Sequence, residues 1–147
     1  MTGGVTGLML RAPIVLAASE PLDEVRRVFD NSHVHMVLLT ASGRVGERLL
    51  GTLVRGDLPP AGVEADSTAL AHARLEGRTV GAGASAEDAR RAMHAAGDRR
   101  LAVVDRDGRL LGLLCLKRSG DGFCTDAGVA SRRAARTGAM TQPPRDA

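Results

Sequence analysis

The sequence predicts an α+β fold made of two tandem βαββα units that pack against one another through their sheets. Three observations predict it. The chain repeats itself: Val25-Arg26-Arg27-Val28-Phe29 returns as Ala89-Arg90-Arg91-Ala92-Met93 at an offset of 64, and Met36-Val37-Leu38-Leu39 returns as Leu101-Ala102-Val103-Val104 at 65. Leu50-Gly51 returns as Leu111-Gly112 at 61, because the first copy carries four extra residues around 45–48. Each copy also sets a short apolar run, a helical stretch and two apolar runs joined by a turn in the same order. Finally, neither copy, at about 60 residues, holds enough apolar residues to close a core alone, so the two should share one.

In the first copy, Ile14-Val15-Leu16 after Pro13 reads as a strand that begins where proline permits. Ser19, Pro21, Asp23 and Glu24 open a helix, its acidic residues at the positive N-terminal end, with Leu22, Val25, Val28 and Phe29 on one face. Residues 34–39 and 49–54 read as strands joined through Ser42-Gly43, and a helix is expected over 66–76, ended by Gly77. In the second copy, 79–82 is a strand, Ser85 caps a helix reaching Ala96, and 101–105 and 110–116 form a hairpin through Asp107-Gly108. After a turn over 117–122, residues 122–124 return as a short strand, and Thr125 caps a last helix through Arg136. The expected units are 8–65 and 66–130, followed by a basic tail over 131–147.

Composition limits the function. With 147 residues, 44% of them hydrophobic and 25% charged, the chain is globular. Phe29 and Phe123 are its only aromatic residues, too few for a stacking platform for sugars or single strands. The formal charge of +3 resides in the tail, where Arg132, Arg133, Arg136 and Arg145 face only Asp146, so the body is neutral and offers no basic face for nucleic acid. The tail itself reads as a solvated extension, with nucleic-acid binding through it as a third alternative. No apolar run reaches membrane-helix length, and Leu16-Ala17-Ala18, although cleavage-site-like, lacks a basic segment before it. Two cysteines, Cys115 and Cys124, suit a reducing cytosol, and a cytoplasmic protein is expected. They fall opposite one another if Ser119-Gly120 forms the turn tip, and read as small apolar residues kept reduced rather than as a redox pair. His33-x-His35 lacks the cysteine or carboxylate partners of a zinc site, so no metal is assigned. No nucleophile with its base and no carboxylate pair stands out, and catalysis is not expected.

The helix start Pro21-Leu22-Asp23-Glu24 and the string from Arg100-Leu101-Ala102-Val103-Val104-Asp105 through Gly108 to Gly112 resemble the CBS (cystathionine β-synthase) domain pair, or Bateman module, over roughly residues 8–130. The resemblance implies pseudo-two-fold packing of the repeats and a regulatory ligand containing adenosine (AMP, ADP, ATP or S-adenosylmethionine) in the cleft between them. It implies no required cofactor, a homodimer and a protein partner to be modulated. The family's binding signature is a glycine in the last strand, then a Thr or Ser, then an Asp. Its logic is close backbone approach at the glycine, phosphate at the hydroxyl and helix start, and ribose hydroxyls on the carboxylate.

Carried onto the first copy, that signature gives Gly51 and Asp57, with Val54 where the hydroxyl belongs and Arg55 adding charge nearby. Asp57 reads equally as a ribose ligand or as a helix cap beside Pro59. In the second copy, counting from Gly112 places Cys115 and Arg118 at the signature positions, whereas counting from Gly122 keeps Thr125 and places Gly128 at the Asp position. Either way the carboxylate is missing, and the second cleft reads as degenerate or as suited to a different ligand. Arg99, Arg100 and His35 stand where the family places phosphate-binding residues, or are ordinary surface charges. Adenine would be clamped by aliphatic residues such as Ile14, Val15, Met36 and Val37. The alternative function is a ligand-free dimerisation and interaction module, which the eroded second signature and Val54 suggest.

Overall fold

A computed structural model describes residues 4–124 apart from 61 and 65. The expected helix over 125–136, its cap Thr125 and the tail over 131–147 lie outside the described residues. Two three-stranded sheets form, each with one parallel and one antiparallel pairing. The first holds β1 (Val15–Ala17), β2 (Val37–Thr40) and β3 (Gly51–Leu53), with α1 (Leu22–Phe29) between β1 and β2. The second holds β4 (Thr79–Gly81), β5 (Arg100–Val104) and β6 (Leu110–Cys115), with α2 (Ala86–Ala96) between β4 and β5.

Local chemistry accounts for these elements. Leu22, Val25 and Phe29 of α1 are buried at helical spacing, and with Val37, Leu39 and Leu53 they make one core. Ser85 Oγ accepts the Asp88 N–H at 3.0 Å, a cap of the kind that contributes about 1 kcal/mol. Gly97, at φ 77°, ends α2 in the left-handed conformation glycine favours. Met93 and Ala89 of α2 pack with Val103 and Leu114 in a second core. The opposite sheet faces meet in a third layer, where Leu38 and Met36 of one repeat pack with Ala102, Leu113 and Cys115 of the other. The shared core expected from the repeat is this layer.

Strand register corrects the repeat alignment. Val15 pairs with Leu38 and Thr79 with Ala102, so β2 and β5 correspond at an offset of 64, not 65. Leu38 and Ala102 accordingly occupy the same shared layer, and the structural counterpart of Arg100 is Met36. The second hairpin carries a bulge on β6, where Val103 pairs with Gly112 and Val104 with Leu110, so that Leu111 is the extra residue. The four inserted residues near 45–48 reach the other repeat, Gly46 N–H donating to Leu110 O and Leu110 N–H to Glu47 O, both at 2.8 Å.

The expected helix over 66–76 is reduced to a 3-10 turn, Ala69–His72. Its last residues are needed elsewhere: Arg74 and Thr52 exchange backbone hydrogen bonds of 2.7 and 2.9 Å, which requires extended chain at 74. The same device precedes the first repeat. A 3-10 turn over Val5–Gly7 leads to Leu10, which exchanges bonds of 2.7 and 3.0 Å with Leu113. Val5 is buried in the second repeat's core and Ala69 in the first's, so each repeat's lead-in segment is seated on its partner repeat. The two glycines face these crossings. A Cβ on Gly51 would lie 2.5 Å from Ala73 Cβ, and one on Gly112 would lie 2.5 Å from Leu10 O.

Candidate functional site

β3 leaves its sheet at Val54 and enters a 3-10 turn, Arg55–Asp57. Asp57 Oδ2 accepts the Val54 N–H at 2.9 Å, so the carboxylate closes the turn it belongs to. The same carboxylate receives both terminal nitrogens of Arg78, at 2.7 and 3.2 Å, and Arg74 Nε lies 3.6 Å away. Only 5% of the Asp57 side chain and 17% of Arg78 is exposed. Burial alone would raise the Asp57 pKa, but the hydrogen bonds from Arg78 and the Val54 amide, together with the charges of Arg78 and Arg74, outweigh it and hold the carboxyl below its ordinary value.

Beside this pair is a cavity of about 220 Å³ between the repeats. The first repeat contributes His35, Met36 and Val54 to its wall, and the second contributes Gly77, Arg78, Asp98, Arg99 and Arg100. The wall is therefore cationic on one side and apolar at Met36 and Val54. Arg99 Nε donates to the Leu116 carbonyl at 3.3 Å, and burial lowers the Arg100 guanidinium below its ordinary pKa. Although His35 keeps much of its surface in solvent, partial burial and the charges of Arg100, Arg55 and Arg99 lower its pKa to about 4. At neutral pH it is an uncharged imidazole among arginines. Such a wall suits an anionic group set beside an apolar body.

Of the residues expected at the site, His35, Met36, Val54 and Arg100 line this cavity, and Asp57 adjoins it through Arg78. Arg55 is turned away, because its Nη2 donates to the carbonyls of Asn31 and Val34 at 3.0 and 3.2 Å and its guanidinium lies 5.1 Å over the Phe29 ring. It braces the segment that follows α1 and does not line the cavity. Val37 is wholly buried in the first core, Ile14 packs on that core, and Val15 packs on the shared layer; none of the three lines the cavity. Gly51 receives Ala73, a packing role. Thr125 lies outside the described residues.

Sequence reasoning missed Arg78, Gly77 and Asp98. A signal for Arg78 was present: it stands 64 residues after Ile14, the position expected to clamp adenine. Reading β1 and β4 at the helix offset would have placed an arginine there. The register Leu116↔Phe123 also places Cys124 opposite Cys115, with Cys124 N–H donating to Cys115 O at 2.7 Å. Burial and the neighbouring Cys124 push the Cys115 thiol up to about 11. Among the described residues, no group of three or more His, Cys, Asp or Glu side chains could hold a metal, and no helix is long and apolar enough to cross a membrane.

Two tandem three-stranded sheets with reciprocally seated lead-in segments can be compared with known proteins. Residues 78–118 match the CBS domain family. The fold is that of a CBS-domain pair. CBSX2 in complex with AMP shares it at 21% identity and a TM-score of 0.63, over 80% of this chain and 92% of that one. A CBS domain protein from Pyrobaculum aerophilum complexed with AMP does so at 22% identity and a TM-score of 0.61, over 79% and 93%. The cytosolic domain of the Mg2+ channel MgtE, in complex with ATP, matches at 21% identity and a TM-score of 0.61 over 77% of this chain, which covers only 46% of that domain. No curated protein matches the chain in sequence. Within this fold the described cavity lies between the two repeats.

Proposed function

We propose that this CBS-domain pair is a non-catalytic regulatory module that binds an adenine nucleotide between its repeats and, on binding, changes its contact with a protein partner. The observation that carries this reading is the inter-repeat cavity walled by Arg78, Arg99 and Arg100 on one side and by Met36 and Val54 on the other. Guanidinium groups beside an apolar surface provide for a phosphate and a base at once. The CBS pairs of CBSX2 and Pyrobaculum aerophilum, which share the fold, were solved with AMP, which supports the ligand class. Among adenosine compounds, the arginines favour AMP, ADP or ATP over S-adenosylmethionine, whose sulfonium they would repel. The reading includes repeat units at 8–65 and 66–130, a basic tail over 131–147, a homodimer and a cytoplasmic location.

One observation favours a second reading, a ligand-free interaction module: the Asp57 carboxylate is already taken up by Arg78. Calorimetric titration of the full chain with AMP, ADP, ATP and S-adenosylmethionine separates the two. Nucleotide binding that weakens by roughly tenfold in Arg99→Gln supports the first, since one charge-assisted hydrogen bond is worth about that much. No heat with any of the four, and a particle size unchanged by them, supports the second.

A further inference from the structure

Asp57 and Arg78 come from different repeats and meet at the cavity edge. A carboxylate offers about four lone-pair sites. At Asp57, Oδ2 already accepts the Val54 amide and Arg78 Nη1, while Oδ1 accepts Arg78 Nη2 and faces Arg74 Nε. A ribose diol, which needs both oxygens, therefore meets a carboxylate filled by guanidinium. Sugar hydroxyls are neutral donors and cannot replace a bidentate cation without leaving that cation half-buried and unpaired. An incoming phosphate can, because it supplies Arg78 with a new anionic partner and frees Asp57 in the same event. Arg78 is placed for this exchange, since it lines the same cavity as Arg99 and Arg100. Among the described residues the arrangement has no second copy: the counterpart of Arg78 in the first repeat is Ile14, and Arg118 stands at the counterpart of Asp57.

We propose that Arg78 is the specificity-determining residue of the cleft: it holds the Asp57 carboxylate against ribose and yields it only to a ligand whose phosphate takes its guanidinium. The cleft then discriminates phosphorylated from unphosphorylated adenosine compounds. This rests on the nucleotide reading above.

The test is calorimetric titration of the full chain and of Arg78→Gln and Asp57→Asn with adenosine, AMP and ATP. In the parent protein the phosphorylated compounds bind about tenfold or more tightly than adenosine. In Arg78→Gln adenosine binding strengthens by about fivefold or more while ATP binding weakens, so that the preference collapses. In Asp57→Asn, which keeps the carboxylate's shape and releases Arg78, the preference for ATP over adenosine widens. That second variant decides the matter if Arg78→Gln does not fold. Adenosine binding as tightly as ATP to the parent, or an unchanged ratio in the folded variants, overturns the role of Arg78 and leaves the nucleotide reading standing. No binding of any of the three to any of the proteins overturns the nucleotide reading, and this proposal with it.

Discussion

Exchanging Gly51 and Ala73 tests the seating of one repeat's lead-in segment on the other. A Cβ added at Gly51 would lie 2.5 Å from Ala73 Cβ, whereas unbonded carbons settle at about 3.5–4.0 Å. Gly51→Ala alone must push β3 or the crossing segment aside, and overpacking of that kind costs about 1–3 kcal/mol. The loss of about 0.4–1 kcal/mol of unfolded-state entropy offsets part of it, leaving a net destabilisation of roughly 1–2 kcal/mol. Ala73→Gly alone gives up one partly buried methyl and stiffens nothing, a cost of about 1–2 kcal/mol. If the two effects were independent the double variant would lose about 2–4 kcal/mol. The geometry instead places the removed methyl where the added one goes, and the entropy terms change places as well, so the double variant should lie within about 1 kcal/mol of the parent. Urea denaturation followed by far-UV circular dichroism measures all four proteins, the chain having no tryptophan to report by fluorescence. In thermal scans, the single variants should melt about 2–8 °C lower, at roughly 2–4 °C per kcal/mol for a chain of this size. Simple additivity would refute the crossing at Gly51.

Two further outcomes follow from the titrating groups of the cleft and the last hairpin. His35 should titrate near 4 by proton NMR, and since the unfolded histidine binds its proton near 6.5, the unfolded chain holds more protons between those values. Stability therefore falls as pH drops from about 6.5 to about 4, and His35→Gln should flatten that limb; high salt should raise the midpoint by screening the arginines, and a midpoint at the ordinary histidine value would count against the cationic wall. Cys115, 3% exposed and with its thiol pushed up to about 11, should resist iodoacetamide at pH 8 until urea unfolds the chain, while the less buried Cys124 is alkylated first. Equal labelling of the two in the native protein, read by peptide mass mapping, would contradict the described burial.

Much of the architecture was legible because burial imposes periodicity on a sequence. The α1 face of Leu22, Val25 and Phe29, the Ser85 cap and the Gly108 turn, at φ 82°, are local statements, and the structure has each of them. The exchanges between repeats were not legible, because no residue type announces them. The stretch 66–76 has helical composition, yet Arg74 is drawn into a bridge with Thr52, and that tertiary bond overrides local propensity. Likewise 45–48 looked like a plain insertion and proves to bond across to Leu110. The lining of the cavity was partly legible for the same reason. His35 and Arg100, expected from their place before the hairpins, and Met36, expected as an aliphatic clamp, do line the cavity, but Arg55 was drawn off by Asn31 and Val34, and Arg78 acquires its meaning only from Asp57, 21 residues earlier in the chain.

The division of charge across the cleft ties ligand binding to the arrangement of the repeats. Asp57 is supplied by the first repeat and Arg78 by the lead-in of the second, so their ion pair is also a bond between the repeats. Buried ion pairs contribute little net stability against their desolvation, but they penalise any arrangement that separates the partners. A phosphate that takes Arg78 removes that penalty and, through Arg99 and Arg100, adds a cationic grip confined to the second repeat's side of the cavity. On that proposal the Asp57 carboxylate of the first repeat then takes the ribose hydroxyls while the arginines of the second repeat hold the phosphate. A ligand with such unequal contacts has different affinities for the two arrangements of the repeats, which is the condition for shifting a population between them. Because Ile14 and Arg118 stand at the counterpart positions, the proposed shift would be driven at the edge of the cavity where Asp57 and the 3-10 turn Arg55–Asp57 lie.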